Sequence, residues 1–147
     1  MATNVVETNI LAVANGLAAQ ANADCVFSAK SLLYNIVAQN QCVSIDAAGQ
    51  IFGEYKRYAH FSGQPAEGDL FLKWLLSNFG NAQCCEFVDT SPEPPIPDGF
   101  DPSDRKFLWA ALLSQKQPAT IHNAVDSDWE MVGLFLQQNR IALNQIC

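Results

Sequence analysis

Apolar positions along the chain form short β-branched runs separated by longer stretches with a helical period. The short runs predict five strands, at residues 4–6, 42–45, 83–88, 119–122 and 141–146. Between them, apolar residues recur about every 3.6 positions, which is typical of helices with one packed face. The predicted order of elements is therefore β-α-α-β-α-α-β-α-β-α-β.

This order predicts an α/β fold with a mainly parallel sheet of five strands, because parallel neighbours need helical crossovers that cover both faces of the sheet. Residues 91–102 contain five prolines, which exclude a helix or a central strand there. The sheet pattern resumes afterwards. We therefore interpret this segment as an ordered loop inside a single domain that spans residues 1–147.

Several residues at the predicted helix ends carry capping signals. Gly16 follows the first helix at a position suited to a left-handed C-terminal turn. Asp46 is predicted to cap the N-terminus of the third helix. Ser127 and Glu130 have the spacing of a capping box, which predicts that the last helix begins at residue 128.

Composition narrows the possible ligands. The chain has 147 residues, 49% of them hydrophobic, which is enough for one sizeable core. Its 8 basic and 15 acidic side chains give a net charge of -7, which disfavours sequence-independent binding to nucleic acid. A polyanionic ligand would need a divalent cation to offset the acids. No apolar run reaches the roughly 18 residues of a membrane span, and the N-terminus does not resemble a signal peptide.

The five cysteines indicate a reducing compartment. Their number is odd and no C-x-x-C spacing occurs, which argues against a disulfide framework and against a zinc site. We therefore predict that the protein is cytoplasmic. The adjacent Cys84 and Cys85 would point to opposite faces of a strand and are interpreted as small core residues.

Four carboxylates from separate elements are predicted to meet. Glu7 ends the first strand and Asp126 follows the fourth, so both reach the carboxyl edge of a parallel sheet, where ligands bind. Asp104 lies on the inward face of its helix, and Glu54 borders a packed helical face. Such acids repel one another unless a cation lies between them, which predicts a Mg²⁺ or Mn²⁺ site suited to phosphodiester hydrolysis.

Each acid also has a structural interpretation. Asp101 and Asp104 can be the N-cap and third residue of a helix that has Pro102 in its first turn. Asp128 can be a favourable charge at a helix N-terminus. Glu54 can pair with a nearby lysine or arginine. Glu7 and Glu54 have weaker structural explanations than the aspartates, because a carboxylate between a buried strand and an apolar helix is costly unless it is paired or binds a metal.

At these positions the chain resembles the PIN-domain nucleases. The segments that carry the resemblance are Val5-Val6-Glu7-Thr8-Asn9, Glu54, Asp101-Pro102-Ser103-Asp104, and residues 123–129 with Asp126, Asp128 and Trp129. The resemblance implies a three-layer α/β/α domain with strand order 3-2-1-4-5. It also implies a metal-dependent ribonuclease that acts on RNA. Many stand-alone members of this size are VapC-type toxins, often dimeric, which implies a second copy or an antitoxin protein as the partner.

The resemblance also assigns roles to residues of this chain. Glu7, Glu54, Asp104 and Asp126 become catalytic acids that bind Mg²⁺ or Mn²⁺, Asp128 joins them as a further ligand, and Asn9 and Asp101 support the site. The chain departs from the family pattern at Glu7, where most members have aspartate. It also has Asn123 or Val125 where a hydroxyl-bearing residue is usual.

Two functions follow from these residues. The first is an endoribonuclease in which the acids hold one or two divalent ions. The alternative is a PIN-like module with a weakened site that binds nucleic acid or protein, suggested by Glu7 and the net charge of -7. A phosphoacceptor regulator of the receiver type is disfavoured, because the last predicted strand lacks the lysine that such a site needs.

Overall fold

The computed structural model describes residues 2–147 and contains five strands, six α-helices and two short 3₁₀ helices. The strands are β1 (Thr3–Val6), β2 (Val43–Asp46), β3 (Cys85–Val88), β4 (Ala119–Asn123) and β5 (Ala142–Gln145). The helices are α1 (Thr8–Ala14), α2 (Ala23–Ala38), α3 (Gln50–Tyr58), α4 (Glu67–Ser77), α5 (Arg105–Leu113) and α6 (Gly133–Gln138). The 3₁₀ helices are Pro102–Asp104, before α5, and Ser127–Val132, before α6.

All five strands are parallel and lie in the order β3-β2-β1-β4-β5, which confirms the predicted fold class and strand order. The central strand β1 is in register with β4, so that Val6 lies beside His122. The residue after β1 continues the ladder, since the Glu7 N–H donates to the His122 carbonyl at 3.0 Å. The ends of β1 and β4 therefore bring Glu7 and the segment after Asn123 to one edge.

The helices form two layers on the sheet. Helices α1, α2, α3 and α4 pack on one another along the crossovers from β1 to β2 and from β2 to β3. The crossover from β3 to β4 runs in the opposite direction, and right-handed connections place its helix α5 on the other face, against β1, β2 and β4. In the part of the chain that the structure describes, no helix is long and apolar enough to cross a bilayer.

Gly16 forms the turn that follows helix α1, as predicted. Its φ is +74°, and its N–H donates to the Val13 carbonyl at 3.1 Å, while the Leu17 N–H reaches the Ala12 carbonyl at 2.8 Å. This pair of bonds is a Schellman turn, which needs a left-handed residue that glycine adopts without steric cost. The turn directs the chain from α1 into α2.

Two predicted helix starts were displaced. Helix α3 begins at Gln50 rather than directly after Asp46, because a turn at residues 47–49 intervenes. The Asp46 carboxylate still caps the helix, since it accepts from the N–H groups of Gln50 at 2.9 Å and Ile51 at 2.7 Å. The last predicted helix does not begin at residue 128. Residues Ser127–Val132 form a 3₁₀ helix capped by the Asp126 carboxylate, so the predicted capping box is wrong.

The cysteine prediction was wrong for one pair. Cys25, on the first turn of α2, forms a disulfide with Cys147, with a Cα–Cα distance of 5.2 Å. The sequence did not indicate this pair, because the two residues are 122 positions apart and only the fold brings them together. Cys42, Cys84 and Cys85 are free and buried, as predicted for small core residues at 84 and 85.

The proline-rich segment is an ordered loop, as predicted. No helix or strand occurs between Val88 and Pro102 within residues 2–147. The Trp109 indole N–H donates to the Pro94 carbonyl at 2.9 Å and holds the loop on α5. The loop ends at Phe100, a fully buried ring that packs edge-on against Trp129, with ring centroids 5.0 Å apart. This ring pair joins the segment that carries Asp101 and Asp104 to the segment that carries Asp126 and Asp128.

Candidate metal centre

Glu7 reaches the carboxyl edge because β1 ends one residue before it. Its backbone is extended, and its Oε1 atom accepts from the Asn9 N–H at 3.3 Å, so the residue caps helix α1. Only 6% of Glu7 is exposed. Its carboxylate therefore lies between the end of the central strand and a helix whose other residues are mostly buried.

Asp104 and Asp126 come from the two 3₁₀ helices. Asp104 is the last residue of the first one and is 5% exposed. Asp126 caps the second, and its carboxylate accepts from the Asp128 N–H at 2.9 Å. The buried Phe100 and Trp129 rings pack on each other and hold these two segments together.

Carboxylate oxygens of Glu7, Asp104 and Asp126 all lie within 4.8 Å of one another. Oxygens of Asp101, Asp104 and Asp128 form a second group with the same spacing. Asp104 belongs to both groups and joins them into a continuous acidic edge. The structure thus brings together five of the six predicted acids.

Electrostatic repulsion and burial raise the proton affinity of this edge. Burial, with added repulsion from Asp126 and Glu54, raises the pKa of Glu7 to about 7. Burial, contact with Asp126 and the charge of Glu7 raise the pKa of Asp104 to about 8. The nearby charge of Asp126 also raises the pKa of Asp128. The site therefore stabilises added positive charge, whether as protons or as a cation.

Asp104 has a buried oxygen without a hydrogen-bond partner. Its Oδ2 atom makes no hydrogen bond to any described residue, although it is shielded from solvent. A buried acceptor left unpaired is costly unless a proton or a cation occupies the position beside it. The closely spaced oxygens of Glu7, Asp104 and Asp126 match the all-oxygen ligand sets that Mg²⁺ and Mn²⁺ prefer. The donor set therefore fits the predicted ion.

Glu54 does not join either oxygen group. One of its carboxylate oxygens accepts from the Thr8 hydroxyl at 2.7 Å, and the other pairs with the Lys106 ammonium. The lysine also donates to the Ser103 carbonyl. The structural interpretation of Glu54, an ion pair with a nearby lysine, thus describes its contacts.

The two residues expected to support the site have distinct positions. The Asn9 side chain donates to Asn123 Oδ1 at 2.7 Å and accepts from the Ala124 N–H at 3.0 Å. It therefore fastens α1 to the end of β4. Asp101 caps the first 3₁₀ helix and accepts from the Ser103 N–H and hydroxyl, both at 2.9 Å. These bonds hold the pKa of Asp101 below its usual value.

Sequence reasoning missed two residues that shape this edge. Asn123 is fully buried, and its amide donates to the Asp126 carbonyl at 2.6 Å and to Gln145 Oε1 at 2.7 Å. Lys106 was not among the predicted site residues. Its position offered a signal, because a cation in the first turn of a mostly apolar helix opposes the helix dipole and needs a compensating acid.

The histidines lie outside the acidic edge. His122 is buried in the sheet, where its ring nitrogens contact the Asn4 side chain at 2.7 Å and the Asn144 side chain at 3.0 Å. Burial lowers the pKa of His122 to about 4. The residue therefore stays neutral at physiological pH and serves as a hydrogen-bonded core group.

Comparisons with known protein families, with curated proteins and with solved structures find nothing that matches this chain. The geometry of the acidic edge is therefore the basis for a functional assignment.

Proposed function

We propose that this chain is a PIN-like endoribonuclease that hydrolyses phosphodiester bonds in RNA with Mg²⁺ or Mn²⁺ as its cofactor. The observation that carries the proposal is the close group of carboxylate oxygens from Glu7, Asp104 and Asp126 at the carboxyl edge of the sheet, together with a buried Asp104 oxygen that has no hydrogen-bond partner. Ligand sites of open parallel sheets occupy this edge. The resemblance in sequence supports the same assignment.

Each residue has a role in this proposal. Glu7, Asp104 and Asp126 hold the ion, and Asp128 and Asp101 extend the negative edge toward solvent. The ion, when bound, supplies a Lewis acid for phosphate oxygens and a means to deprotonate water near neutral pH. Because the pKa values of Glu7 and Asp104 are raised, these carboxyls must release protons when the ion binds. Ion affinity should therefore increase between pH 6 and pH 8.

The side of the site next to α3 can accommodate the phosphate backbone of an RNA. A cavity of about 360 Å³ lies there, lined by residues that include Gly53, Glu54, Arg57 and Lys106. Arg57 is exposed, and its guanidinium forms no hydrogen bond or ion pair with any of residues 2–147. Its charge partly offsets the acidic edge and supports the approach of a polyanion.

The first test combines ion binding with RNA cleavage. We expect Mn²⁺ to bind at pH 8 in calorimetry and a single-stranded RNA to be cut only when Mg²⁺ or Mn²⁺ is present. Asp126→Asn should abolish cleavage and weaken Mn²⁺ binding ~10-fold or more. Asp98→Asn, an exposed acid in the proline-rich loop, is the matched control and should retain both properties. Wild-type protein that binds no Mn²⁺ and leaves RNA intact would contradict the proposal.

A second candidate is a PIN-like module that binds RNA or protein without cutting it. The observation that favours it is that three acids can be satisfied without a metal: Glu54 by Lys106, and Glu7 and Asp104 by protons. RNA binding in a gel-shift assay with EDTA, together with no cleavage in Mn²⁺, would support this candidate. Metal-dependent cleavage that Asp126→Asn removes would exclude it.

The partner and the compartment belong to the same proposal. An antitoxin protein or a second copy of the chain would need exposed apolar surface, and α2 offers Phe27 and Tyr34, which are 70% and 58% exposed.

We propose a cytoplasmic location, which the three free cysteines suit and the Cys25–Cys147 disulfide opposes. Alkylation of thiols in freshly lysed cells tests this: a labelled Cys147 supports the cytoplasm, and an intact disulfide contradicts it.

A further inference from the structure

Lys106 occupies an unfavourable position for a lysine. It is the second residue of α5, where the helix dipole opposes a positive charge, and it is 9% exposed. A buried ammonium without a partner would lose its charge or destabilise the fold. Its Nζ also lies over the Phe107 ring, 5.1 Å from the centroid, but this weak attraction does not neutralise the charge. The carboxylates of the acidic edge beside it supply the negative charge that a buried ammonium needs.

Each carboxylate oxygen of Glu54 has a partner within the protein, and Lys106 supplies one of the two. The ammonium pairs with one oxygen of Glu54 and donates to the Ser103 carbonyl, one residue before Asp104. The Thr8 hydroxyl donates to the other Glu54 oxygen at 2.7 Å. Neither oxygen of Glu54 belongs to the two groups of closely spaced carboxylates. Glu54 is thus oriented toward protein groups, although its charge still raises the pKa of Glu7.

The charges then divide into two sets. Glu54 is balanced by Lys106 within the protein, and Glu7, Asp104 and Asp126 are left for an external cation. A second divalent ion beside Glu54 would have to displace the ammonium or lie against it, and like charges at close range in a partly buried site repel strongly.

We infer that Lys106 takes the place of a second metal ion, so that the site binds a single divalent cation through Glu7, Asp104 and Asp126, and Glu54 is not a ligand. Lys106 is a positioning residue in this arrangement. It keeps Glu54 turned toward Thr8 and fixes the number of ions at one. The inference rests on the proposed metal-dependent function and specifies the ion count of the same site.

The number of bound ions tests the inference directly. Calorimetry and electron paramagnetic resonance with Mn²⁺ alone at pH 8 should give one ion per wild-type chain. The double variant Lys106→Met with Glu54→Gln removes both charges and keeps similar volumes, so it should fold and bind one ion within ~3-fold of wild-type affinity. If Glu54 were a ligand, the double variant would lose ~10-fold or more in affinity.

The single variant Lys106→Met gives an additional outcome. It frees the Glu54 carboxylate, and we expect a second, weaker Mn²⁺ to bind, with a spin-coupled signal that the double variant lacks. Two ions on the wild-type chain, or a loss of ~10-fold in the double variant, would overturn this inference and leave the metal-dependent function standing. No Mn²⁺ on the wild-type chain would overturn both.

Discussion

Asp104 is the residue on which the acidic edge depends most. It belongs to both oxygen groups, it is 5% exposed, and one of its oxygens has no hydrogen-bond partner. Its carboxyl has a pKa of about 8 in the folded protein, against a usual value of 3.8. The folded chain therefore holds this proton more tightly than the unfolded chain does. Stability without metal should fall as the pH rises from about 4 to about 8.

Asp104→Asn tests whether ionisation of the Asp104 carboxyl causes this loss of stability. The amide cannot ionise and removes the repulsion with Asp126 and Glu7. We expect the free energy of unfolding without metal to rise by about 1–3 kcal/mol at pH 8 and to change little at pH 4. Urea denaturation at both pH values measures the effect, and Asp98→Asn should follow the wild-type pH dependence. A variant with the same loss of stability between pH 4 and pH 8 as wild type would contradict the assignment.

At the scale of elements, the end of β4 determines where Asp126 lies. The Asn9 amide fastens α1 to Asn123 and Ala124, and Asn123 in turn holds the Asp126 carbonyl and the side chain of Gln145 on β5. Two side-chain amides thus connect α1, β4, β5 and the following 3₁₀ helix. These bonds keep the Asp126 segment beside Glu7 before any ligand arrives, which favours ligand binding by preorganisation.

Asn123→Ala should loosen that segment. It leaves the Asn9 amide and the Asp126 carbonyl without a buried partner, so we expect a loss of about 2–4 kcal/mol in stability. Mn²⁺ affinity should fall ~10–100-fold, because the partners that orient a ligand are lost. Denaturation and calorimetry measure the two effects. Asn35→Ala, at an exposed position on α2, is the control and should change stability by less than about 0.5 kcal/mol. Unchanged Mn²⁺ affinity in a folded Asn123→Ala protein would contradict this role.

At the scale of the whole molecule, one disulfide links helix α2 to the segment that follows β5. The Cys25–Cys147 disulfide connects the start of α2 to the last residue and closes a loop of 122 positions. The Ile146 N–H and the Gln145 side chain bind the end of β4 at Asn123 and Ala124. The C-terminus is therefore held against the segment that leads to Asp126.

Cys147→Ser should lower the free energy of unfolding by about 2–4 kcal/mol, because the unfolded chain regains the freedom that the closed loop removes. Dithiothreitol should lower wild-type stability to the level of the variant and leave the variant unchanged, which provides the control. Urea denaturation with and without the reductant measures both effects. If the reductant destabilised the variant as much as wild type, the disulfide would not be the cause.

The order of elements, the parallel sheet and the meeting of Glu7, Asp104 and Asp126 follow from the sequence by itself. Strand and helix periods are local properties. The rule that ligands bind at the carboxyl ends of parallel strands gave the place of Glu7 and Asp126, and the helical period placed Asp104 on the inward face of its helix. The Gly16 turn was predictable for the same reason, because its bonds lie within the last turn of α1.

Only the tertiary structure decided the partners of residues that are far apart in sequence. Glu54 meets Thr8 and Lys106, Asn9 meets Asn123, and Cys25 meets Cys147 across separations that no local pattern encodes. The helix after Asp126 was mispredicted because the Asp126 carboxylate caps a 3₁₀ helix rather than an α-helix. Packing sets these contacts, since a buried charge or amide must take the partner that the neighbouring elements present. The sequence predicted that four acids would meet, and three of them, Glu7, Asp104 and Asp126, lie together. The packing of α1, α3 and α5 turns the fourth, Glu54, toward Thr8 and Lys106.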